Sequence, residues 1–231
     1  TEIYTLSLHD ALPIWSSSGD GCGANSSIII LMKWSLVLQA GGQSRRMGQD
    51  KAIMPFLGSP LIERVWRRLE AGAEEVLVTT QDPAALAFLG LRCVTDRLPE
   101  MGALGGLYTA LAEARCEVVA VVACDMPFAS AHLLARQRAL LEQLGVDGVV
   151  PQSLDGLEPL HAVYRRSSCL PAVEQALARA QLRMIGWFDA VQMFIMPPEE
   201  VARYAALERT FLNLNTPDEF LQAEQLAKIV D

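Results

Sequence analysis

The chain has 231 residues, of which 51% are hydrophobic and 20% are charged, so a substantial core is expected and wholesale disorder is excluded. The net charge of −8 argues against general nucleic-acid binding, and the chain lacks the run of about eighteen apolar residues that predicts a membrane span. Five cysteines without C-x-x-C spacing and only three histidines favour reduced thiols in a cytoplasmic protein over a disulfide framework or a zinc site.

Residues 1–31 differ in composition from the rest of the chain. They contain no Lys or Arg, so the basic start of a signal peptide is missing, and their Ser/Gly-rich middle is typical of a flexible linker. The opening TEIYTLSLHDALPI resembles translated sequencing-adapter text, and Met32 resembles a start residue. We expect residues 1–31 to be either non-native sequence or a natural disordered extension, and residues 32–231 to form a single domain.

From Trp34 onwards, apolar runs of strand length alternate with amphipathic segments of helix length. The runs predict strands over 34–39, 74–80, 91–96, 117–127, 148–151, 158–166 and 191–197. The amphipathic segments predict helices over 60–72, 105–114, 130–144, 169–180 and after 213–220. This alternation predicts an α/β fold with a mostly parallel sheet that helices cover on both faces. Ligands bind such sheets at the carboxyl ends of the strands.

The segment AGGQSRRMGQDK, residues 40–51, follows the first predicted strand. It combines three glycines with three cations, which are Gly41, Gly42, Gly48, Arg45, Arg46 and Lys51. Glycines let a backbone turn tightly and present N–H groups to an anion, and the cations supply positive charge, so the combination favours phosphate binding. The alternative is a solvent-facing polar loop. The segment matches neither Walker A nor G-x-G-x-x-G.

Asp125 ends the most apolar predicted strand, VVAVVACD. An unpaired carboxylate at the end of a buried run would be costly, and a cation would offset that cost. Oxygen ligands close to phosphate suit Mg²⁺. The alternative is that Asp125 caps a helix that starts near Pro127.

Together these segments resemble the molybdenum cofactor guanylyltransferase family, within the wider nucleotidyltransferase group of Rossmann-like folds. The resemblance extends from Lys33 to about Ala227 and rests on LQAGGQSRRMGQDKA, VTD with GALGGLYTAL, VVACDMPF, EPLHAVYRR and FLNLNTPDEF. It implies transfer of GMP from GTP to the phosphate of molybdopterin, with release of pyrophosphate. No protein nucleophile is required, because phosphoryl chemistry depends on positioning and charge neutralisation.

The resemblance also implies roles for individual residues. The residues implied for GTP binding are Gln39, Ala40, Gly41, Lys51, Thr79, Asp96 and Asp125. Those implied for molybdopterin are Gly42, Gly48, Gly102, Gly106, Arg183, Asn213 and Asn215. Lys51, Arg46 and Asp125 would serve catalysis, with Mg²⁺ held by Asp125. Cofactor-delivery proteins and molybdoenzyme chaperones are the implied partners.

Three positions depart from the family pattern: Gln39 replaces a leucine, Thr79 replaces an asparagine found in some members, and Ala103 replaces a proline. His161 is expected either to face the substrate or to be hydrogen-bonded within its strand. Cys124 is expected in the core, because alternation turns it away from the face of Asp125.

Asn213 and Asn215 share one face if their segment is extended; otherwise they help to cap the last helix with Thr216 and Pro217.

For the whole chain, two other functions stay open. One is a cytidylyl or sugar-phosphate nucleotidyltransferase, and the other is a non-catalytic nucleotide-binding module.

Overall fold

The structure is a computed structural model that describes residues 32–41 and 50–230. Its strands are β1 (Trp34–Ala40), β2 (Pro55–Phe56), β3 (Ser59–Pro60), β4 (Glu75–Thr80), β5 (Arg92–Thr95), β6 (Val118–Ala123), β7 (Gly148–Pro151), β8 (His161–Arg165) and β9 (Met193–Met196). Its α-helices are α1 (Leu61–Leu69), α2 (Gly102–Glu113), α3 (Ala131–Leu144), α4 (Arg166–Ala178), α5 (Pro198–Val201), α6 (Leu207–Thr210) and α7 (Pro217–Val230).

Seven strands form one sheet in the order β5-β4-β1-β6-β8-β7-β9. Only β8 runs against its two neighbours, β6 and β7, whereas the other adjacent pairs in this sheet are parallel. The loop between β7 and β8 contains no helix, so the chain reverses directly, whereas a parallel neighbour needs a longer crossover. The predicted α/β fold with a mostly parallel sheet is therefore confirmed.

Helices cover both faces of the sheet, as the alternation along β1 requires. Leu36 and Leu38 belong to the core cluster that includes residues of α1 and α3. Val37 points to the opposite face and belongs to the cluster with α2 and α4. Period-two alternation sends successive side chains of one strand to opposite faces, so a strand buried on both faces is apolar throughout.

A third core cluster brings the C-terminal helix α7 against the β2–β3 hairpin. Phe220 of α7 packs in one cluster with Phe56 and Leu61. Thr216 and Glu219 form a capping box at the start of α7: Glu219 N donates to Thr216 Oγ1 over 3.2 Å, and Thr216 N donates to Glu219 Oε2 over 3.0 Å. The cap fixes the direction from which residues 213–215 approach the sheet.

The predicted elements match the observed ones, with differences at the ends. The strand predicted over 117–127 ends at Ala123, and Asp125 lies in the turn that follows. The interpretation of Asp125 as a helix cap is wrong, because α3 begins at Ala131 and the side chain of Ser130 caps it. Within residues 32–41 and 50–230, no helix is long and apolar enough to cross a bilayer. The single-domain boundary at Met32 stays a prediction.

Candidate active site

A cavity of about 380 Å³ opens at the carboxyl ends of β1 and β6. Its described lining residues are Gln39, Gly41, Asp50, Lys51, Ala123, Cys124, Asp125, Leu160, Asn213 and Asn215. They come from five separate stretches of the chain, which the sheet brings to one edge. Six of the predicted site residues meet here: Gln39, Gly41, Lys51, Asp125, Asn213 and Asn215.

The described part of the glycine-rich segment consists of its two ends. Gly41 follows β1, and Asp50 caps a short 3₁₀ turn over Lys51–Ile53 by accepting a hydrogen bond from Ala52 N at 3.0 Å. Ala52 is fully buried, so the turn anchors the stem of Lys51 to the core. Among the predicted residues, Gly42, Arg46 and Gly48 lie outside the described residues, as does Arg45.

Asp125 and Lys51 form an ion pair inside the cavity. Asp125 Oδ2 lies 3.5 Å from Lys51 Nζ, and the two side chains are 22% and 17% exposed. Burial raises the pKa of Asp125, and the Lys51 ammonium opposes that rise. Lys51 Nζ also donates to Asn215 Oδ1 over 2.7 Å, which links the turn after the glycines to the segment before α7.

Asp96 lies beside the cavity and is held by one residue before α2 and one residue within it. It is 8% exposed, and its Oδ1 accepts hydrogen bonds from Leu98 N at 3.0 Å and from Thr109 Oγ1 at 2.8 Å. Its Oδ2 would lie 4.0 Å from a Cβ placed on Gly41. A methyl group at Gly41 would therefore be in ordinary van der Waals contact with the Asp96 carboxylate.

The side chain of Gln39, which replaces the family leucine, turns towards α2. Gln39 Nε2 donates to Ala103 O over 3.1 Å. Gly106 makes this possible, because a Cβ at that position would lie 2.2 Å from Gln39 Nε2. Gln39 Oε1 and Thr79 Oγ1 are both buried without a hydrogen-bond partner among the described residues, and the two residues are paired across β1 and β4.

Asn213 and Asn215 line the cavity, whereas the side chains that cap α7 are those of Thr216 and Glu219. Leu214 N donates to Asp125 O over 3.1 Å, which docks the segment beside the cavity. Asn213 and Asn215 then line the cavity, while Thr216 caps α7. Asn215 Nδ2 donates to Asn213 O over 3.3 Å, which directs the oxygen of the same amide towards Lys51.

His161 is fully buried in β8 and does not line the cavity. Its Nε2 accepts a hydrogen bond from Ser130 N at 3.1 Å, and its ring meets Phe211 edge-on. Burial lowers the pKa of His161 to about 4. The interpretation as a hydrogen-bonded strand histidine is therefore correct, and the substrate-facing alternative is wrong.

Several predicted residues are not among those that line the cavity. Ala40 and Thr79 are buried in their strands, Gly106 packs on Gln39, and Gly102 and Arg183 are exposed elsewhere. Gly102 has φ +61° at the start of α2, a conformation that favours glycine. Their assignment to substrates stays a prediction.

Residues that the sequence reasoning missed also contribute to the site. Asp50 and Leu160 line the cavity, and Thr109 holds Asp96. The Asp-Lys pair of the glycine-rich segment was a visible signal for Asp50. Thr109 gave no such signal, because a threonine within a helical pattern does not reveal which residue its side chain will contact. Cys124 is buried as expected, but it also lines the cavity.

The oxygen atoms of the cavity fit a hard divalent cation. Asp125 and Asp50 offer carboxylates, and Asn213 and Asn215 offer amide oxygens, which are the ligands that Mg²⁺ prefers. Within the described parts of the chain, no group of three or more His, Cys, Asp and Glu residues could hold a metal. The protein would therefore supply few ligands, and a bound phosphate or water would have to supply the rest.

The chain is similar to proteins of one family over most of its length. The family model described as "MobA-like NTP transferase domain" matches residues 36–189. A relative from Pelotomaculum thermopropionicum, named "Probable molybdenum cofactor guanylyltransferase", is 35% identical over 83% of this chain and 92% of that protein. A relative from Shewanella amazonensis, named "Molybdenum cofactor guanylyltransferase", is 30% identical over 83% of this chain and 94% of that protein.

A solved structure shares the fold. It is the molybdopterin-guanine dinucleotide biosynthesis protein A from Archaeoglobus fulgidus, with a TM-score of 0.73 and 24% identity over 84% of this chain and 99% of that chain. The resemblance predicted from the sequence motifs is confirmed by the family model and the relatives together. The chain belongs to the family of MobA-like NTP transferase domains.

Proposed function

We infer that this protein is a molybdenum cofactor guanylyltransferase, which transfers GMP from GTP to the terminal phosphate of molybdopterin and releases pyrophosphate. The observation that carries the inference is the 35% identity, over 83% of the chain, to a relative that bears this name. The cavity supports it, because it places a cation and a carboxylate at the sheet edge where α/β proteins bind ligands.

The reaction is an in-line exchange at the α-phosphorus of GTP. An oxygen of the molybdopterin phosphate forms the new bond to the α-phosphorus, and the bond to the bridging oxygen of pyrophosphate breaks with its electron pair on the leaving group. The chain contributes position and charge rather than a nucleophile. Lys51 begins a 3₁₀ turn that is anchored by the buried Ala52, so its ammonium can neutralise charge on the phosphates without a large movement of the backbone.

Nucleotidyltransferases of this family typically use a divalent metal. We propose Mg²⁺ as that metal and Asp125 as the residue that would hold it. When bound, such a cation neutralises charge on the phosphates and polarises the reacting one. Support comes from the carboxylate and amide oxygens of the cavity, and from the burial of Asp125, which disfavours the charged form and raises its pKa.

The two substrates are proposed to meet at the cavity. Ala40, Gly41, Thr79 and Asp96 would serve the guanosine side, together with Gln39 at the end of β1. The residues proposed for molybdopterin are Gly42, Gly48, Gly102, Gly106, Arg183, Asn213 and Asn215, and Arg46 is proposed for catalysis. The position of Asn213 and Asn215 in the cavity supports their share of this assignment. Delivery proteins, molybdoenzyme chaperones and a cytoplasmic location stay predictions.

The decisive experiment measures pyrophosphate release by the purified protein with molybdopterin, Mg²⁺ and each of GTP, CTP and ATP in turn. We expect release with GTP that depends on molybdopterin. Faster release with CTP would identify a cytidylyltransferase instead. Tight GTP binding without pyrophosphate release would identify a non-catalytic nucleotide-binding module.

A further inference from the structure

The ammonium group of Lys51 lies between two oxygen atoms of the cavity. It donates to Asn215 Oδ1 over 2.7 Å and lies 3.5 Å from Asp125 Oδ2. Of the described residues that line this cavity, Lys51 alone carries positive charge. Because both side chains of the ion pair are mostly buried, the ammonium is the natural compensation for the Asp125 carboxylate.

Asn215 is itself fixed, so it can hold the ammonium in place. Its backbone N–H donates to Glu219 Oε2 in the first turn of α7, and its Nδ2 donates to Asn213 O. Those contacts leave Oδ1 as the free end of the amide, and Oδ1 accepts the hydrogen bond from Lys51. Asn215 thus acts on the nucleotide side of the cavity through Lys51, although the family resemblance assigns it to the pterin side.

Asp125 and Asn215 oxygens are also among those that suit a hard divalent cation. A lysine ammonium and a divalent cation cannot both approach the Asp125 carboxylate closely, because the two positive charges repel each other strongly in a cavity of low dielectric. Whichever cation occupies the carboxylate therefore weakens the binding of the other.

We propose that Lys51 is the internal counter-ion of Asp125 in the nucleotide-free protein, that Asn215 holds it there, and that movement of Lys51 onto a phosphate strengthens the binding of a divalent cation by Asp125. The long, flexible stem of Lys51 permits the movement, and phosphate oxygens offer the ammonium a stronger partner than an amide oxygen. This last step rests on the proposed function. The counter-ion role of Lys51 does not depend on which reaction the protein catalyses.

The test is a titration with Mn²⁺ in the absence of nucleotide and molybdopterin, with free Mn²⁺ followed by electron paramagnetic resonance. We compare the full-length wild type with Lys51→Met, which removes the charge but keeps most of the stem. Lys51→Met should bind Mn²⁺ at least about tenfold more tightly than the wild type, because the competing ammonium is gone. Lys51→Arg keeps the charge and should bind Mn²⁺ as weakly as the wild type.

A second pair of variants assigns the effect to named atoms. The double variant Lys51→Met/Asp125→Asn should lose the gain, because the carboxylate that Lys51 covers is then missing. Lys51→Met should raise Mn²⁺ affinity less in the Asn215→Leu background than in the wild type, because Lys51 is already less firmly held there, and any loss of the Asn215 oxygen as a ligand is common to both proteins of that pair. If Lys51→Met does not fold by circular dichroism, Lys51→Gln replaces it.

Equal Mn²⁺ affinity for wild type and Lys51→Met would overturn the counter-ion role, as would a gain that survives Asp125→Asn. A gain from Lys51→Met that is equally large in the Asn215→Leu background would overturn the positioning role of Asn215. Because the titration contains neither substrate, its failure is distinct from the absence of pyrophosphate release with GTP, which would refute the proposed function alone.

Discussion

The carboxyl group of Asp125 emerges just beyond β6, whose six residues are all buried. Its side chain is 22% exposed, so the charge depends strongly on neighbouring cations and on hydrogen bonds. The pKa of Asp125 is raised by burial, and Lys51 is the neighbour that lowers it. A group in this position responds strongly to a cation, which makes it suitable for binding a metal together with a nucleotide.

Replacing Asp125 with Asn should lower turnover by about two orders of magnitude or more, because the charge that would hold a metal disappears while the size is kept. The fold should survive with some loss of stability, since Lys51 loses the carboxylate that compensates its charge but keeps its hydrogen bond to Asn215. Pyrophosphate release and melting temperature, measured on the same samples, check both statements.

The matched control for Asp125→Asn is Asp189→Asn, which changes an exposed carboxylate that does not line the cavity. Near-wild-type turnover of Asp125→Asn over a full Mg²⁺ titration would rule out a metal-binding role. A large loss of stability without a loss of turnover per folded molecule would give Asp125 a structural role only.

At the scale of elements, α2 and β1 approach each other closely where Gly106 faces Gln39. A Cβ at Gly106 would lie 2.2 Å from Gln39 Nε2 and 2.6 Å from its Cδ. Gly106→Ala should therefore cost about 1–3 kcal/mol of unfolding free energy through overpacking. In the Gln39→Ala background the clash is absent. Gly106→Ala should then be neutral or stabilise the protein by up to about 1 kcal/mol, because alanine has a higher helix propensity than glycine.

Urea unfolding of the two single variants and the double variant measures this coupling. Gly105→Ala is the control, because its Cβ would lie 2.2 Å from the backbone oxygen of Leu98. Its cost should be the same with or without the Gln39 side chain. If Gly106→Ala lowers the unfolding free energy equally in the wild-type and Gln39→Ala backgrounds, the contact of Gly106 with Gln39 does not limit the packing of α2 on β1.

The long elements were predictable because burial imposes a period on them. The run Val118–Ala123 is apolar in every residue, and Leu61–Leu69 repeats its apolar positions at helical spacing. The two-residue strands β2 and β3 are too short to show any period, and they were missed. Gly41 and Asp125 could be placed at the site because strand ends define the ligand edge of the sheet. The contact of Lys51 with Asn215 could not be predicted from the sequence, because it depends on the path of the whole chain.

At the scale of the whole molecule, stability should fall as the pH decreases from about 6.5 towards 4 because of His161. Burial lowers the pKa of His161 to about 4 in the folded state, from the ordinary 6.5. Between these values the unfolded chain binds a proton that the folded protein excludes, so the stabilising effect is complete above pH 6.5 and is lost towards pH 4. The loss attributable to His161 is about 3 kcal/mol over this range.

Unfolding free energies from urea titrations at about pH 7 and about pH 4.5 measure the effect. His161→Gln keeps an acceptor for Ser130 N but cannot be protonated, so its stability should depend less on pH. Burial raises the pKa of Asp125 and Glu158, which works in the opposite direction and is common to both proteins. His132→Gln, at an exposed histidine, is the control. An identical pH dependence for wild type and His161→Gln would contradict the prediction.

The hydrogen bond between Lys51 and Asn215 joins residues that are 164 positions apart. Contacts between such distant residues close a large loop, and they form only after much of the chain entropy has been lost. During refolding, the secondary structure should therefore return before the cavity does. At that stage the Asn215 amide would not yet hold Lys51 beside the Asp125 carboxylate. The ability to bind ligand would consequently be among the last properties that a refolding molecule regains.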